Sequence, residues 1–442
     1  MKSYWKIIAV FVLAMLVLTA CATPAAPEEP AAPEEPAAPE EPAAPESPAW
    51  CMGAAEGDTV SMLYQWSGQE EERLNQILKP LADECGIVLQ PESTRDQALL
   101  DTRVQAGNPP DVAFWNVTQI LQYQDSLFAM DALGASKDAY IPGAIDPGVI
   151  DGKWLGLPVK SDIKTIIWYS PVNFEAAGYT VPTTWDELDA LVEQIVADGN
   201  VPWSMGMESG DATGWTGTDF LQDIMLVKQG PDFVMGIIDG SVPYNDPGVK
   251  EAYEIYGKWA TDPAYTVGGA DGTLSTGFND AILKVFSDPP EAYMVKQSGF
   301  AGGTITTQYP NLEFGTDYDF FVIPGAKGLQ GGSDWMMAFS DKPAVKALVS
   351  YLSSPEGGEA WAAASFDLSP NKGAEGNYTD VSLIKKAEAF YSAEGFTPDI
   401  GDTIPGGFGS AEFTAVSDYV NGGDLDTILA EVAAIQADAL AE

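Results

Sequence analysis

The sequence predicts an α/β protein of two lobes with a ligand cleft between them, carried behind an N-terminal export and tether segment. Two observations point to the lobes. A β-α-β alternation opens at Thr59 and recurs before Trp115, which implies a mainly parallel sheet covered by helices. The stretch from Cys51 to Glu442 holds about 390 residues with plentiful aliphatic and aromatic side chains, more than one ordinary core organises. A third observation concerns the start of the chain, where an apolar run closes on Leu18-Thr19-Ala20-Cys21 and a Pro-Ala-Ala-Pro-Glu-Glu repeat follows.

At the N-terminus, Lys2 and Lys6 supply positive charge and Ile7 to Leu18 supply an apolar run of roughly a dozen residues, the length of a signal peptide rather than of a spanning helix. Small Ala20 before Cys21, with Leu18 upstream, resembles the bacterial lipobox, in which the cysteine is acylated and becomes the first mature residue. The bland alternative is an ordinary signal peptide with an incidental cysteine. Residues 1–20 are thus expected to be a lipoprotein signal peptide, Cys21 the lipidation site, and 21–50 a disordered Pro/Ala/Glu tether. In extended polyproline form, at about 3.1 Å per residue, that tether reaches roughly 80 to 90 Å. The expected location is outside the cytoplasm, anchored to the bacterial cell membrane through the acyl chains of Cys21, which hold to the lipid bilayer by their buried methylenes.

Composition removes several function classes. A formal net charge of −44 argues against a nucleic-acid partner. The absence of histidine removes His-based triads, His-ligated zinc and any imidazole base. Acidity on this scale reads as a solubility or salt-adaptation signature rather than a site. With Cys21 assigned to lipid, Cys51 and Cys85 remain of the three cysteines. In an oxidising compartment they are a disulfide candidate, closing a loop of about 35 residues and contributing roughly 3 to 4 kcal/mol; two unpaired thiols are the alternative.

Along the folded part, Thr59-Val60-Ser61-Met62-Leu63-Tyr64 reads as a buried strand. Glu70 to Glu84 carries Leu74, Ile77, Leu78 and Leu81 at helical spacing, Gly86 ends that helix, and Ile87-Val88-Leu89 begins the next strand. Gln97 to Gln105 is a helix and Asp111 to Trp115 a short strand. Further on, Ile166-Ile167-Trp168-Tyr169 is a strand, and Thr184 with Asp186 and Glu187 caps a helix. Helical patterns follow at Asp219 to Lys228, Val249 to Trp259, Phe278 to Phe286, Pro343 to Ser353 and Leu425 to Leu440. Trp185 and Trp259 fall inside helices and belong to the core.

The segment Leu100 to Trp115, with its Gly107-Asn108-Pro109-Pro110-Asp111 turn, resembles the helix, turn and strand of extracellular solute-binding proteins that feed carbohydrate ABC importers. Physically, Gly107 ends the helix and the prolines fix the turn. Three further stretches match in order. They are Gly152 to Lys160 running on to Trp185-Asp186-Glu187-Leu188, Gly214-Trp215-Thr216-Gly217-Thr218-Asp219, and Gly331-Gly332-Ser333-Asp334-Trp335 ahead of Asp341-Lys342-Pro343. Together they are most similar to the alpha-glucoside-binding branch and span essentially all of the folded part. The resemblance implies a periplasmic-binding-protein fold of the maltose-binding-protein-like, type II kind, with a hinge and interlobe cleft. It divides the chain into lobe 1 at 51–160 and 335–380 and lobe 2 at 161–334 and 381–442. Relatives often carry a cysteine where this chain has Tyr293.

Sugar rings stack their C–H faces on aromatic rings while amides and charged groups bind their hydroxyls. The implied ligand-binding residues are Trp66 and Gln69 after the first strand, Trp115 and Asn116 after the third, and Lys160 and Asp162 at the first crossing. Trp215, Asp219, Phe300 and Phe413 belong to the second lobe, and Asp334 and Trp335 to the return crossing. No cofactor, metal site or catalytic residue is expected. The implied partners are an oligosaccharide and ABC transporter permease subunits, with the chain acting as a monomer. The rivals are the same fold serving a polyamine or a peptide, and a glycoside hydrolase, for which no recognisable acid-base pair of carboxylates stands out.

Overall fold

A computed structural model describes residues 47–94 and 96–441; the expected lipidation site Cys21 and the repeat tether lie outside the described residues. The first lobe opens with β1 (Thr59–Tyr64), α1 (Gln69–Cys85), β2 (Val88–Ser93), α2 (Gln97–Gln105) and β3 (Val112–Trp115), followed by the short α3 (Thr118–Tyr123). Strand β1 lies between β2 and β3 and runs parallel to both. The α1 stripe of Leu74, Ile77, Leu78 and Leu81 is fully buried against this sheet, and the helix stops where Gly86 takes the left-handed conformation at φ 67°. Val60, Met62, Tyr64 and Phe114 from the sheet complete that core with Leu348 and Trp361 from later helices.

After a small hairpin, β4 (Val149–Ile150) with β5 (Lys153–Trp154), the chain leaves along β6 (Gly156–Ile163) and enters the second lobe on β7 (Ile166–Tyr169). That lobe holds α4 (Pro171–Ala177), α5 (Trp185–Ala197), α6 (Trp215–Lys228), α7 (Pro231–Asp239), α8 (Pro247–Thr261), α9 (Gly269–Ser275), α10 (Phe278–Lys284), β8 (Met294–Lys296), α11 (Ala301–Gln308) and β9 (Asp319–Val322). Thr184 and Glu187 form a reciprocal capping box at the head of α5. Trp185 and Trp259 pack with Trp203 in the core of this lobe.

The return runs along β10 (Leu329–Ala338) into α12 (Pro343–Leu352) and α13 (Pro355–Ala364). The chain then passes through α14 (Val381–Ser392), β11 (Phe396–Pro398), α15 (Ile400–Thr403), α16 (Phe408–Val420) and α17 (Leu425–Ala439). Strand β10 joins the two halves of the architecture. It pairs antiparallel with β3 and β6 and parallel with β11.

Three expectations need correction. Residues 47–50, expected to close the disordered tether, are ordered: Ala49–Cys51 form a 3₁₀ turn and Trp50 is buried in the lobe core, because an indole beside Cys51 has Tyr351 to pack on. The sheet is parallel only across β2, β1 and β3; β10 enters it antiparallel, and the second-lobe sheet β8-β7-β9 is antiparallel throughout. The cause is topological, because a chain that enters a lobe on one strand and leaves it near that strand runs the two in opposite senses. The helix expected from Asp219 begins four residues earlier, at Trp215. Gly214 breaks the chain there at φ 117°, and a Cβ on it would stand 2.3 Å from the Phe413 carbonyl oxygen, so only glycine fits.

Cys51 and Cys85 are bridged across a sequence separation of 34, with neighbouring Trp50 against Tyr351, ring centroids 4.9 Å apart. Replacing both cysteines by serine is expected to lower stability by about 3 kcal/mol through the loop entropy returned to the unfolded chain. Urea titration reads this as a lower midpoint; an unchanged midpoint refutes it.

Candidate functional site

Parallel strands present their carboxyl ends on one edge, where α/β proteins bind ligands. At that edge Gln65 and Trp66 follow β1 directly, and exposed Asn116 follows β3. The register of β6 against β10 sets Lys160 opposite Asp334. Asp334 accepts the Gln65 side-chain amide at 3.0 Å and the Trp66 indole N–H at 3.1 Å. Gln65 also donates to Asn116 Oδ1 at 3.4 Å. Lys160 Nζ stands 3.7 Å from Asp334 and 3.3 Å from Glu70, over the Phe366 ring at 5.2 Å. Burial pushes the Asp334 carboxyl up, against the pull of Lys160. Burial also works to lower the Lys160 ammonium, but Asp334, Asp367 and Glu70 outweigh it and hold it above its ordinary value.

The other lobe offers aromatic surface. Trp215 at the head of α6, Phe278 at the head of α10 and Phe300 before α11 form a triad, with centroids 5.3 Å apart for Trp215–Phe278, 6.2 Å for Trp215–Phe300 and 6.1 Å for Phe278–Phe300. Phe300 is 38% exposed. Its neighbour Gly299 lies against the first crossing, where a Cβ would stand 2.0 Å from Asp162 Oδ1. Asp162 faces Lys386 at 3.7 Å, and Lys386 also holds Asp367 at 2.6 Å. Burial, then repulsion from Asp367, pushes the Asp162 carboxyl up to about 6. Partly buried Phe413 abuts Gly214 through its backbone and lines an open cavity of about 540 Å³ with Thr118, Gly401 and Asp402. The same three residues border a second cavity of about 230 Å³, floored by Ser333, Trp335 and Asp399.

Not every expected residue reaches this space. Trp66, Trp115 and Asp219 are 2%, 4% and 1% exposed. Trp66 is enclosed by Phe114 and Phe366 and presents its N–H to Asp334. Trp115 pairs across the sheet with Trp335 in a small core with Ile120 and Leu155; of the two, Trp335 lines the smaller cavity. The side chain of Gln69 lies outside what is described. Lys160, Asp334 and Asn116 are brought together, as are Trp215 and Phe300.

Asp219 belongs to a buried ionic network. Lys164 Nζ donates to Asp219 Oδ1 at 3.0 Å and Asp399 Oδ2 at 2.8 Å, and Gln330 Nε2 reaches the same two oxygens at 3.1 and 3.0 Å. Lys296 Nζ lies 3.1 Å from Asp223 Oδ2 and 3.7 Å from Asp219 Oδ2, as ion pairs without hydrogen-bond alignment. Burial pushes Asp219 up to about 7, opposed by Lys164 and Lys296. For Asp399 burial is outweighed by the Lys164 ammonium, which holds the carboxyl well below its usual range. Asp399 is therefore the member held toward its charged form and Asp219 the one pushed toward its neutral form.

Gln65, Glu70, Lys164, Phe278, Asp399 and Asp402 escaped the sequence reading as site residues. Asp399 had a local signal, the N-cap position before α15, but its pairing with Lys164 lies 235 residues away. Among the described residues no group of three or more His, Cys, Asp or Glu is placed to hold a metal ion.

Asp219 binds protons more tightly folded than unfolded, so its stabilising contribution is complete below the ordinary value of 3.8 and is lost as pH rises through about 7. Asp162 at about 6 and Glu412, raised to about 8 mainly by burial, act in the same direction. Melting temperature is therefore expected to fall between pH 4 and pH 8 with a shallower slope in Asp219→Asn; equal slopes would contradict the assignment.

Comparison with known proteins places this architecture. A family profile described as bacterial extracellular solute-binding protein matches residues 76–390. The osmoprotective compounds-binding protein GgtB of Synechocystis is 31% identical over 391 residues, covering 85% of this chain and 92% of that one. The alpha-glucosides-binding periplasmic protein AglE of Rhizobium meliloti is 32% identical over 392 residues, covering 83% and 84%. Among solved structures, the bacterial solute receptor AcbH superposes with a TM-score of 0.70 at 19% identity, over 87% of this chain and 97% of that one. Maltose-bound MalE3 of T. maritima does so with a TM-score of 0.63 at 17% identity, over 86% and 100%.

Proposed function

We propose, from the premise that this chain belongs to the bacterial extracellular solute-binding proteins, that it captures an oligosaccharide, an alpha-glucoside in particular, between its lobes and hands it to the permease of an ABC importer. It is a binding protein that works outside the cytoplasm, not an enzyme. What supports the sugar reading is that each lobe offers one half of sugar-binding chemistry. The partly open triad of Trp215, Phe278 and Phe300 lies on one lobe, and the row of Lys160, Gln65 and Asn116 on the other, with Asp334 joining that row from the return crossing. Pyranose faces stack on aromatic rings, and hydroxyls exchange hydrogen bonds with charged groups at roughly 1.5 to 3 kcal/mol each. Micromolar affinity needs about 8 kcal/mol in all, so one platform and a few such bonds suffice. Lys160 and the Lys164 behind Trp215 favour a neutral polyhydroxylated ligand over a polyamine.

Binding then works as a population shift, since the ligand touches both lobes only when they are closed. The division into lobe 1 at 51–160 and 335–380 and lobe 2 at 161–334 and 381–442 goes with this reading, as does a monomeric receptor held near its importer by Cys21. The similarity to a binder of osmoprotective compounds as well as to an alpha-glucoside binder suits a small, uncharged, hydroxyl-rich solute.

A thermal-shift screen over mono- and disaccharides, polyamines and amino acids tests the ligand class, because saturation at a hundredfold excess over the dissociation constant stabilises by about 2.7 kcal/mol. Alpha-linked disaccharides are expected to shift the transition; no shift with any sugar sinks the proposal. By calorimetry, Trp215→Ala is expected to weaken the sugar at least about tenfold with the fold intact, a loss on the order of 1.4 kcal/mol. For the anchor, Cys21→Ser is expected to move the protein from the membrane to the soluble fraction of the cells that make it, and retention of the variant on membranes argues against lipidation.

A further inference from the structure

We propose that the buried knot centred on Lys164 is the positioning device of the hinge: it ties the strands passing between the lobes to helix α6 and so fixes where Trp215 stands. Lys164 sits in the two-residue link between β6 and β7. Its backbone N–H donates to the Gln330 carbonyl at 2.8 Å, joining the outgoing and returning crossings. Its ammonium joins Asp399, just beyond β11, the strand that pairs with β10, to Asp219 on α6. Thr165 Oγ1 accepts the Gln330 backbone N–H at 2.7 Å and donates to Asp223 Oδ1 at 2.7 Å. Gln222 clasps the chain on both sides of Asp399, donating to the Pro398 carbonyl at 2.8 Å and accepting from the Ile400 N–H at 3.0 Å.

Positions 215, 219, 222 and 223 share one face of a helix by their three- and four-residue spacing. That face of α6 is committed to the crossings, and its first member is Trp215, with Lys164 Nζ 5.9 Å from its ring. Two ammoniums, Lys296 buried and Lys164 mostly so, stand against the three buried aspartates Asp219, Asp223 and Asp399 and leave no spare cation. Withdrawing one partner strands a charge away from water, which is far costlier than breaking an exposed pair. Helix α6 therefore moves as one body with the crossing strands. Trp215 keeps a set position on the hinge while the other lobe closes toward it. On this account Asp219 acts through Lys164 and Gln330 as a positioning residue, without touching the solute.

The test reads Trp215 without any ligand and then with one. In protein labelled with 5-fluorotryptophan, the ¹⁹F line lost in Trp215→Phe belongs to Trp215. Lys164→Met is expected to displace or broaden that line while the other tryptophan lines hold, and Lys164→Arg to leave it closer to its original place. Should Lys164→Met fail to fold, the charge-balanced pair Lys164→Gln with Asp399→Asn carries the same comparison. An unmoved Trp215 line in a folded variant overturns the proposal. The second arm, which rests on the sugar reading, measures maltose affinity. Lys164→Met is expected to weaken it about tenfold alone but to add little once Trp215→Ala is present, the non-additivity of residues acting as a unit. Fully additive losses overturn the coupling. If the wild type binds no sugar, it is the sugar reading that fails, and the fluorine line alone upholds or overturns the positioning role.

Discussion

The register of β6 against β10 is the constraint on which the rest depends. Opposing Asp334 to Lys160 and Gly331 to Ile163, it sets the polar row midway along the pairing, at the irregularity between Asp334 and Trp335, and the backbone link from Lys164 to Gln330 at its end. Side chains alternate along a strand, so a slip of one residue turns Asp334 away from Gln65 and Trp66 and removes Gln330 from Asp219. The close-packed strand interior makes that register hard to lose. Trp335 packs on Trp115 and Met337 beside Ala113 across the next pair.

Electrostatics is organised around the same strands. The chain carries 65 acidic against 21 basic side chains, a surplus that repels itself in the folded state. Yet the ammoniums of Lys164, Lys296 and Lys386 are largely withdrawn from solvent rather than spread over the surface. Each is paired with at least one aspartate, and the carboxylates outnumber them. The aspartates respond in opposite directions, with Asp399 held charged and Asp219 raised toward neutrality. The hinge thus buries charge without leaving an ammonium unmatched.

Much of this was legible in the sequence, for identifiable reasons. The β-α-β opening was readable because α1 keeps a clean apolar stripe and ends on Gly86; α5 announced itself through Thr184 and Glu187. Four ordered matches to one family carried the two-lobe architecture, and the profile spanning 76–390 agrees. Strand direction was not legible, since alternation alone cannot say that β10 returns antiparallel or that β7 is flanked by strands of opposite sense. Nor could spacing separate a tryptophan left partly open at a helix head from one that closes a core. Trp215 heads a helix behind Gly214 and Trp115 ends strand β3, but Trp115 is covered by Trp335, Ile120 and Leu155. The Lys164 partners come from α6 and from beyond β11, distant stretches that only the fold brings together.

The bridge between Cys51 and Cys85 also determines how force enters the molecule. Strand β1, between those cysteines in sequence, is an inner strand with β2 on one side and β3 on the other. Without the bridge, tension on the chain ahead of Trp50 would peel Trp50 from Tyr351 and then draw on β1, unzipping two ladders. With it, the loop cannot lengthen, and the load passes at Cys51 directly to the carboxyl end of α1, whose buried stripe spreads it over the core of the lobe. The receptor can be pulled by its leading end without strand β1 bearing the strain.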